Sequence, residues 1–212
     1  MSERPSPQKV WEEMRRGNAR FVAGEPRHPR QDVERRHELE HTQKPRAVLF
    51  GCSDSRLAAE IIFDKGLGDL FVVRNAGQVV SDSAVASLEY AVAILDVSLV
   101  VVLAHDECGA VRAAIDSTDP SADELPPHIW RLIAKIVPAA RRLLRADPAA
   151  TPQNLDAELV GREHLRNTVD DLLASSKLIS DAVADGRLGI VGANYRLADG
   201  TAHAHVTVGL DD

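Results

Sequence analysis

Four short stretches that are apolar throughout constrain this chain more than any other feature. They lie in AVLFGC from Ala47, LFVVRN from Leu70, SLVVVLAH from Ser98 and LGIVGANYRL from Leu188. A strand with one wet face alternates apolar and polar residues, whereas a strand covered on both faces does not. The runs therefore point to a parallel sheet with helices on both sides. TAHAHVTV, from Thr201, does alternate. It follows Asp199-Gly200, a hairpin signal, and is expected to pair antiparallel with the fourth strand.

The intervening segments supply the helices. Ser6 as cap and Pro7 in the first turn open a helix on which Val10, Met14 and Phe21 recur, with Trp11 adjacent. Gly24 and Pro26 end it, and an irregular arm runs to about Gln43. AAEIIFDKG reads as a short helix closed by Gly66. Ser83 to Leu95 carries a stripe of Val85, Leu88, Val92 and Leu95. Ile129 to Arg145 is helical with a bend or interruption at Pro138. Arg162 to Ala184 presents Leu165, Val169, Leu172, Ile179 and Val183, and stops at Gly186. The polar connectors are too modest to separate domains. The expected organisation is one α/β domain over 1–212, with a helix and arm over 1–43 and an α/β core over 44–212.

A formal net charge of −7 argues against a broad nucleic-acid surface. The basic cluster from Pro26 to Arg36 is interleaved with Asp32 and Glu34 and reads as a solvated segment. The N-terminus has no apolar core of signal-peptide length, and no apolar run approaches the length of a membrane span. The expected location is cytoplasmic, with neither nucleic acid nor membrane as partner. Two cysteines in that compartment are thiols or metal ligands rather than a structural disulfide.

The chemistry gathers at the strand ends. Cys52 follows the first strand, His105 ends the third, and Cys108 comes three residues later in HDECG. Open α/β sheets bind ligands beyond the carboxyl ends of strands where the strand order reverses. An order beginning 2-1-3 brings these residues together from two loops. Two thiolates and one imidazole suit zinc, and three protein ligands leave a fourth position open, as catalytic sites do. The same spacing also fits inert core thiols, a redox pair and a structural histidine. His203 and His205 form a rival metal pair with no third ligand beside them. Asp54 and Arg56 share a face of the extended stretch after Cys52. The guanidinium keeps such a carboxylate ionised and oriented. Asp54 then either accepts the proton of a zinc-bound hydroxide or swings in as a fourth ligand. The plainer alternative is an ion pair capping a helix at Ala58.

CSDSR, Cys52 to Arg56, and HDEC, His105 to Cys108, followed by Gly109, strongly resemble the β-class carbonic anhydrases. The resemblance covers nearly the whole chain, through GNARFVAG, HPRQ at His28 to Gln31, GDLFVVRNAG, SLEYAV and VGANYRLADG. It implies one zinc ion per subunit on Cys52, His105 and Cys108, with Asp54 and Arg56 as the catalytic dyad. It also implies reversible hydration of carbon dioxide to bicarbonate and a proton through a zinc-bound hydroxide. Gln31 matches a glutamine that reaches a neighbouring subunit's site, and Gly109 falls at a substrate-binding position. The family fold is a parallel sheet of order 2-1-3-4 with a fifth antiparallel strand, built as homodimers or homotetramers. An uncovered apolar face on the first helix, carrying Trp11, Met14 and Phe21, fits such assembly, unless that face packs within its own chain.

Two thiolates neutralise the metal's charge, so acidification of its water is expected to be weaker than with three histidines. Closure by Asp54 on zinc is expected at low pH, where hydroxide competes less well. Three positions depart from family habit. Leu49 stands where a regulatory bicarbonate site, otherwise matched by Arg74 and Tyr195, has tryptophan. Ala104 replaces a frequent glycine, and Asp106 with Glu107 makes the inter-ligand loop unusually acidic, which reads as a solvated face. The rival functions are a carbon disulfide hydrolase on the same fold and a non-catalytic zinc or thiol redox sensor.

Overall fold

The computed structural model describes residues 4–210. All four apolar runs become parallel strands: β1 (Ala47–Cys52), β2 (Leu70–Asn75), β3 (Leu99–His105) and β4 (Gly189–Tyr195). With β5 (Ala202–Val208) antiparallel on β4, the sheet order is β2-β1-β3-β4-β5. The uninterrupted hydrophobicity has a direct cause. Ala47, Leu49, Leu99, Val101 and Leu103 enter the core on one face. Val48, Phe50, Val100, Val102 and Ala104 enter a second core on the other. Because successive side chains point to opposite faces, a strand covered twice needs an apolar residue at every position. β2 differs. It is an edge strand, only half-buried, and its Phe71, packed against the second core, meets Tyr90 with 6.1 Å between ring centroids.

The first core is closed by α1 (Pro7–Val22), α3 (Ala59–Ile62), α5 (Gly109–Asp116), α6 (Pro127–Ile133) and α7 (Val137–Ala146). The second is closed by α4 (Asp82–Ala93), α8 (Ala157–Ser175) and α9 (Lys177–Ala184). Ser6 caps α1 as expected, its side chain accepting from Lys9 N. The apolar face of α1 does not await a partner. Val10, Trp11 and Met14 are buried in their own chain, with Trp11 edge-on to Phe63 at 6.4 Å.

Other details depart from the sequence reading, each for a local reason. The arm is not wholly irregular, since Asp32 caps a short helix, α2 (Val33–Glu38), by accepting from Arg35 N. α3 stops before Gly66, where Asp64 turns left-handed at φ 45°. α4 is capped by Ser81 and buries Ala84, Leu88, Ala91 and Val92, a slightly rotated stripe. The expected helix over 162–184 is two helices, because the Ser176 side chain caps α9 by accepting from Ile179 N and donates to Glu89 Oε1 at 2.6 Å. α6 and α7 are likewise separate, with Pro138 in the first turn of α7, where its missing N–H costs nothing.

Candidate metal centre

Parallel pairing places the ends of β1 and β3 side by side. Gly51 is level with Leu103, so Cys52 and His105 leave the same edge of the sheet from neighbouring strands. Cys108 is the N-cap residue of α5 and turns its sulfur back towards them. One donor atom from each of Cys52, His105 and Cys108 lies within 4.8 Å of the others, and all three residues are buried. Among the described residues this is the one group of three His, Cys, Asp or Glu donors able to hold a metal ion. The rival pair does not assemble. His203 and His205 are both exposed, and His203 Nε2 lies 2.9 Å from Thr201 Oγ1.

The donor chemistry fits a cation. His105 Nδ1 is 2.7 Å from the Asp106 carbonyl oxygen, which can only accept, so Nδ1 carries the proton. That tautomer leaves the lone pair on Nε2, which is buried and has no hydrogen-bond partner. A buried lone pair without a donor is costly unless something binds there. The Cys108 thiol hydrogen-bonds the Cys52 sulfur and holds Cys52 well below the usual thiol range. Cys108 is pushed up in turn, by that same bond and by burial. The pair thus resists carrying two negative charges without a cation beside it. No disulfide joins them.

Asp54 stands at the mouth of this group. Its Oδ1 accepts from Arg56 N and Nε, both at 2.9 Å, and its Oδ2 accepts from Arg56 Nη2 at 2.7 Å. The Arg56 guanidinium holds the Asp54 carboxyl well below the usual carboxylate range, against a smaller opposing effect of burial. Oδ2 lies 4.0 Å from His105 Nε2. The pair is no cap for α3, whose N-cap Ala58 receives no side-chain bond.

Three residues to which the sequence reading gave another role, or none, complete the site. Arg74 donates to the carbonyls of Cys52 at 2.9 Å and Asp54 at 2.6 Å, pinning the loop after β1. Gly77 N–H donates to Cys52 Sγ at 3.3 Å. Asp106 is not merely solvated. It accepts from Leu197 N at 2.9 Å, tying the inter-ligand loop to the β4–β5 hairpin. The motif GDLFVVRNAG contains two of these residues, yet nothing in it says which atoms they hold.

Two predicted substrate contacts behave differently. Gly109 opens α5 beside the cluster, and a methyl group there would meet open space. Gln31 is exposed on the arm, and its neighbour Arg30 pairs with Asp69, just before β2. Cys52 is level with Asn75 at the far end of β2, roughly 17 Å away along the strand. Gln31 therefore does not join the metal centre of its own chain. Leu49, in the position of the missing tryptophan, is buried in β1.

Comparison with known proteins adds a second line. Residues 47–202 match the family model described as carbonic anhydrase. The chain is 46% identical over 197 residues to "Carbonic anhydrase 2" of Mycobacterium tuberculosis, covering 93% of this chain and 92% of that protein. It is 45% identical over 195 residues to "Carbonic anhydrase" of Mycolicibacterium smegmatis, covering 92% and 91%. Among solved structures, tetrameric beta-carbonic anhydrases from Sordaria macrospora match with a TM-score of 0.70 at 23% identity, over 81% of this chain and 86% of theirs. Coccomyxa beta-carbonic anhydrase in complex with acetazolamide matches at 0.67 and 21% identity, over 99% and 90%. These two likenesses speak to the fold. The two mycobacterial relatives support neither the carbon disulfide reading nor the redox-sensor reading.

Proposed function

The chain belongs to the β-class carbonic anhydrase family, enzymes of reversible carbon dioxide hydration, and we propose that it works through one zinc ion held by Cys52, His105 and Cys108. Bonds of about 2.3 Å to sulfur and 2.0–2.1 Å to nitrogen set tetrahedral donors roughly 3.5–3.8 Å apart. The three donor atoms, all within 4.8 Å of one another, are close enough to share one such ion. Zinc there supplies Lewis acidity, lowering the pKa of a water so that it becomes nucleophilic near neutral pH.

The chain's own residues supply the rest. Asp54 stays a carboxylate across the working pH range, so it can only accept hydrogen bonds. Its Oδ2, 4.0 Å from His105 Nε2, is placed where it would accept a hydrogen bond from the nucleophile and so orient it towards carbon dioxide. Arg56 fixes the carboxylate plane by its two-nitrogen grip and also donates to the Glu107 carbonyl at 3.3 Å, joining the dyad to the inter-ligand loop. The N–H groups of Ala110 and Val111 at the start of α5 face the Cys108 sulfur, which leaves the Gly109 N–H, without an acceptor in the helix, to suit a developing bicarbonate charge. For Asp54 to become a fourth ligand, it must first give up its three bonds from Arg56. With those bonds in place, Asp54 is held away from the ligand group.

We further assign 1–212 to one catalytic unit that acts as a homo-oligomer in the cytoplasm. No helix among the described residues is long and apolar enough to cross a membrane. The half-buried β2 edge, with Tyr90, Leu67 and Ile61 exposed nearby, offers a surface for a second copy. Gln31, distant from its own centre, is then free to serve a neighbour's.

The observation that carries this reading is the Cys52–His105–Cys108 group with Asp54 beside it. Its test is stopped-flow carbon dioxide hydration by zinc-loaded protein from about pH 6.5 to 9. A rate rising with pH above the buffer background is expected. A background rate throughout overturns the assignment.

A further inference from the structure

The metal-ligand sulfur of Cys52 takes a backbone hydrogen bond from Gly77, and the turn that presents this N–H is not self-supporting. Gly77 lies in a single 3-10 turn, Ala76–Gln78, between β2 and α4. It is left-handed at φ 74°, and the next residue, Gln78, is left-handed too at φ 42°. Both are buried. A non-glycine residue in that region is strained and persists only when its surroundings over-determine it. A Cβ on Gly77 would stand 2.9 Å from Ile136 Cδ1 and 3.0 Å from Ala110 Cβ, so the position requires glycine. Glycine, however, has no intrinsic preference for this φ. Something else must hold it.

Two side chains do so. Asn75 brackets the turn, donating to Val79 O and accepting from Val79 N, both at 2.8 Å. The second is His164, in the interior of α8, whose Nε2 lies 2.8 Å from the Gly77 carbonyl oxygen. A carbonyl can only accept, so Nε2 carries the proton. The opposite nitrogen, Nδ1, is buried with no partner. Burial pushes the ring's pKa down, which keeps it neutral. A leucine would fill this space without an orphan nitrogen. The imidazole contributes one thing leucine cannot, a hydrogen bond to Gly77.

We propose that His164 is a positioning residue of the metal centre: its Nε2–H anchors the Gly77 carbonyl, which fixes the Gly77 N–H on the Cys52 sulfur and so sets the orientation of that ligand. The chain of contacts runs His164 to Gly77 to Cys52, and it joins α8 to the end of β1. This inference rests on Cys52, His105 and Cys108 being the zinc ligands. Partners behind a metal ligand typically alter metal affinity by about 10–100-fold when removed.

The test compares full-length wild type with H164L, H164Q and T168V, using zinc competition against a chromophoric chelator and the thiolate-to-metal absorption band of the cobalt-loaded protein. H164L removes the donor. H164Q keeps a donor nitrogen the same number of bonds from Cα. T168V, one turn along α8, deletes a buried hydroxyl bond to the His164 carbonyl and leaves Gly77 untouched. The zinc dissociation constant of H164L is expected to rise about tenfold or more, with a shifted cobalt band. H164Q should restore both, and T168V should match wild type. H164L binding zinc within about twofold of wild type with a superimposable band overturns the proposal alone. A wild-type chain that takes up no zinc overturns the metal reading as well. Should H164L fail to fold, H164N replaces it, since its amide is too short to reach Gly77. Equal zinc affinities for H164N and H164Q then overturn the proposal, as does failure of all three to fold.

Discussion

Asn18 is the buried polar residue whose removal should cost most for its size. It sits on α1, 7% exposed. Its Nδ2 donates to Ile62 O at 3.1 Å and Gly200 O at 2.8 Å, and its Oδ1 accepts from Ala202 N at 2.9 Å. One amide thus joins α1, the end of α3 and the β4–β5 hairpin. A net hydrogen bond contributes about 0.5–1.5 kcal/mol, and a buried partner left unsatisfied pushes the loss to the upper part of that range. Three bonds give about 3 kcal/mol for N18A, after roughly 0.5 kcal/mol is returned by alanine's better helix propensity. At about 2–4 °C per kcal/mol for a chain of this size, the melting midpoint should fall by roughly 6–12 °C. The assay is thermal and urea unfolding by circular dichroism, at one fixed protein concentration because assembly shifts the midpoint. N18D sharpens it. A carboxylate keeps the bond from Ala202 N but faces the Ile62 and Gly200 carbonyl oxygens with no proton to give. Its folded-state pKa is then raised, so N18D should be least stable near neutral pH and recover part of its loss on acidification. A cost for N18A below about 1 kcal/mol would refute the reasoning, because it would mean the three bonds are replaced by water without penalty.

Three further outcomes are expected. Asp64 accepts from Arg20 Nε at 2.6 Å, Arg27 N at 3.0 Å and His28 N at 3.0 Å, and although burial opposes its ionisation these donors leave its pKa lowered. Its contribution is therefore present above the unfolded carboxyl pKa of about 4 and lost as pH falls through the lower folded value, so D64N should flatten the acid limb of a stability–pH curve. A Cβ at Gly17 would stand 1.9 Å from the Phe63 carbonyl oxygen, so G17A should be destabilising despite the roughly 1 kcal/mol that alanine normally adds to a helix; an unchanged urea midpoint would contradict the close approach of α1. D54N puts an amide where the nucleophile needs a pure acceptor. It should lower carbon dioxide hydration on the order of 10²-fold while zinc content stays at one per subunit, measured by metal analysis beside stopped flow.

Much of this molecule is legible in the chain before any folding is considered. The strands declare themselves because burial on two faces demands an apolar residue at each position, and that demand is written locally. Leu99 to Ala104 is such a run, buried throughout. Cys52, His105 and Cys108 stand out because reactive side chains follow such runs immediately, and a parallel sheet gathers its strand ends at one edge. What the chain does not announce is which distant atoms meet. Whether the α1 face is covered from within depended on Phe63 arriving beneath Trp11. The division of α8 from α9 depended on Ser176 finding both Ile179 N and Glu89. One hydrogen bond to the Cys52 sulfur comes from Gly77, 25 residues on, and the Gly77 carbonyl is met by His164, 87 residues further. Periodicity and turn chemistry act over a few residues and leave a mark in the sequence. A single hydrogen bond across the fold leaves none, so only the packed tertiary structure decides it.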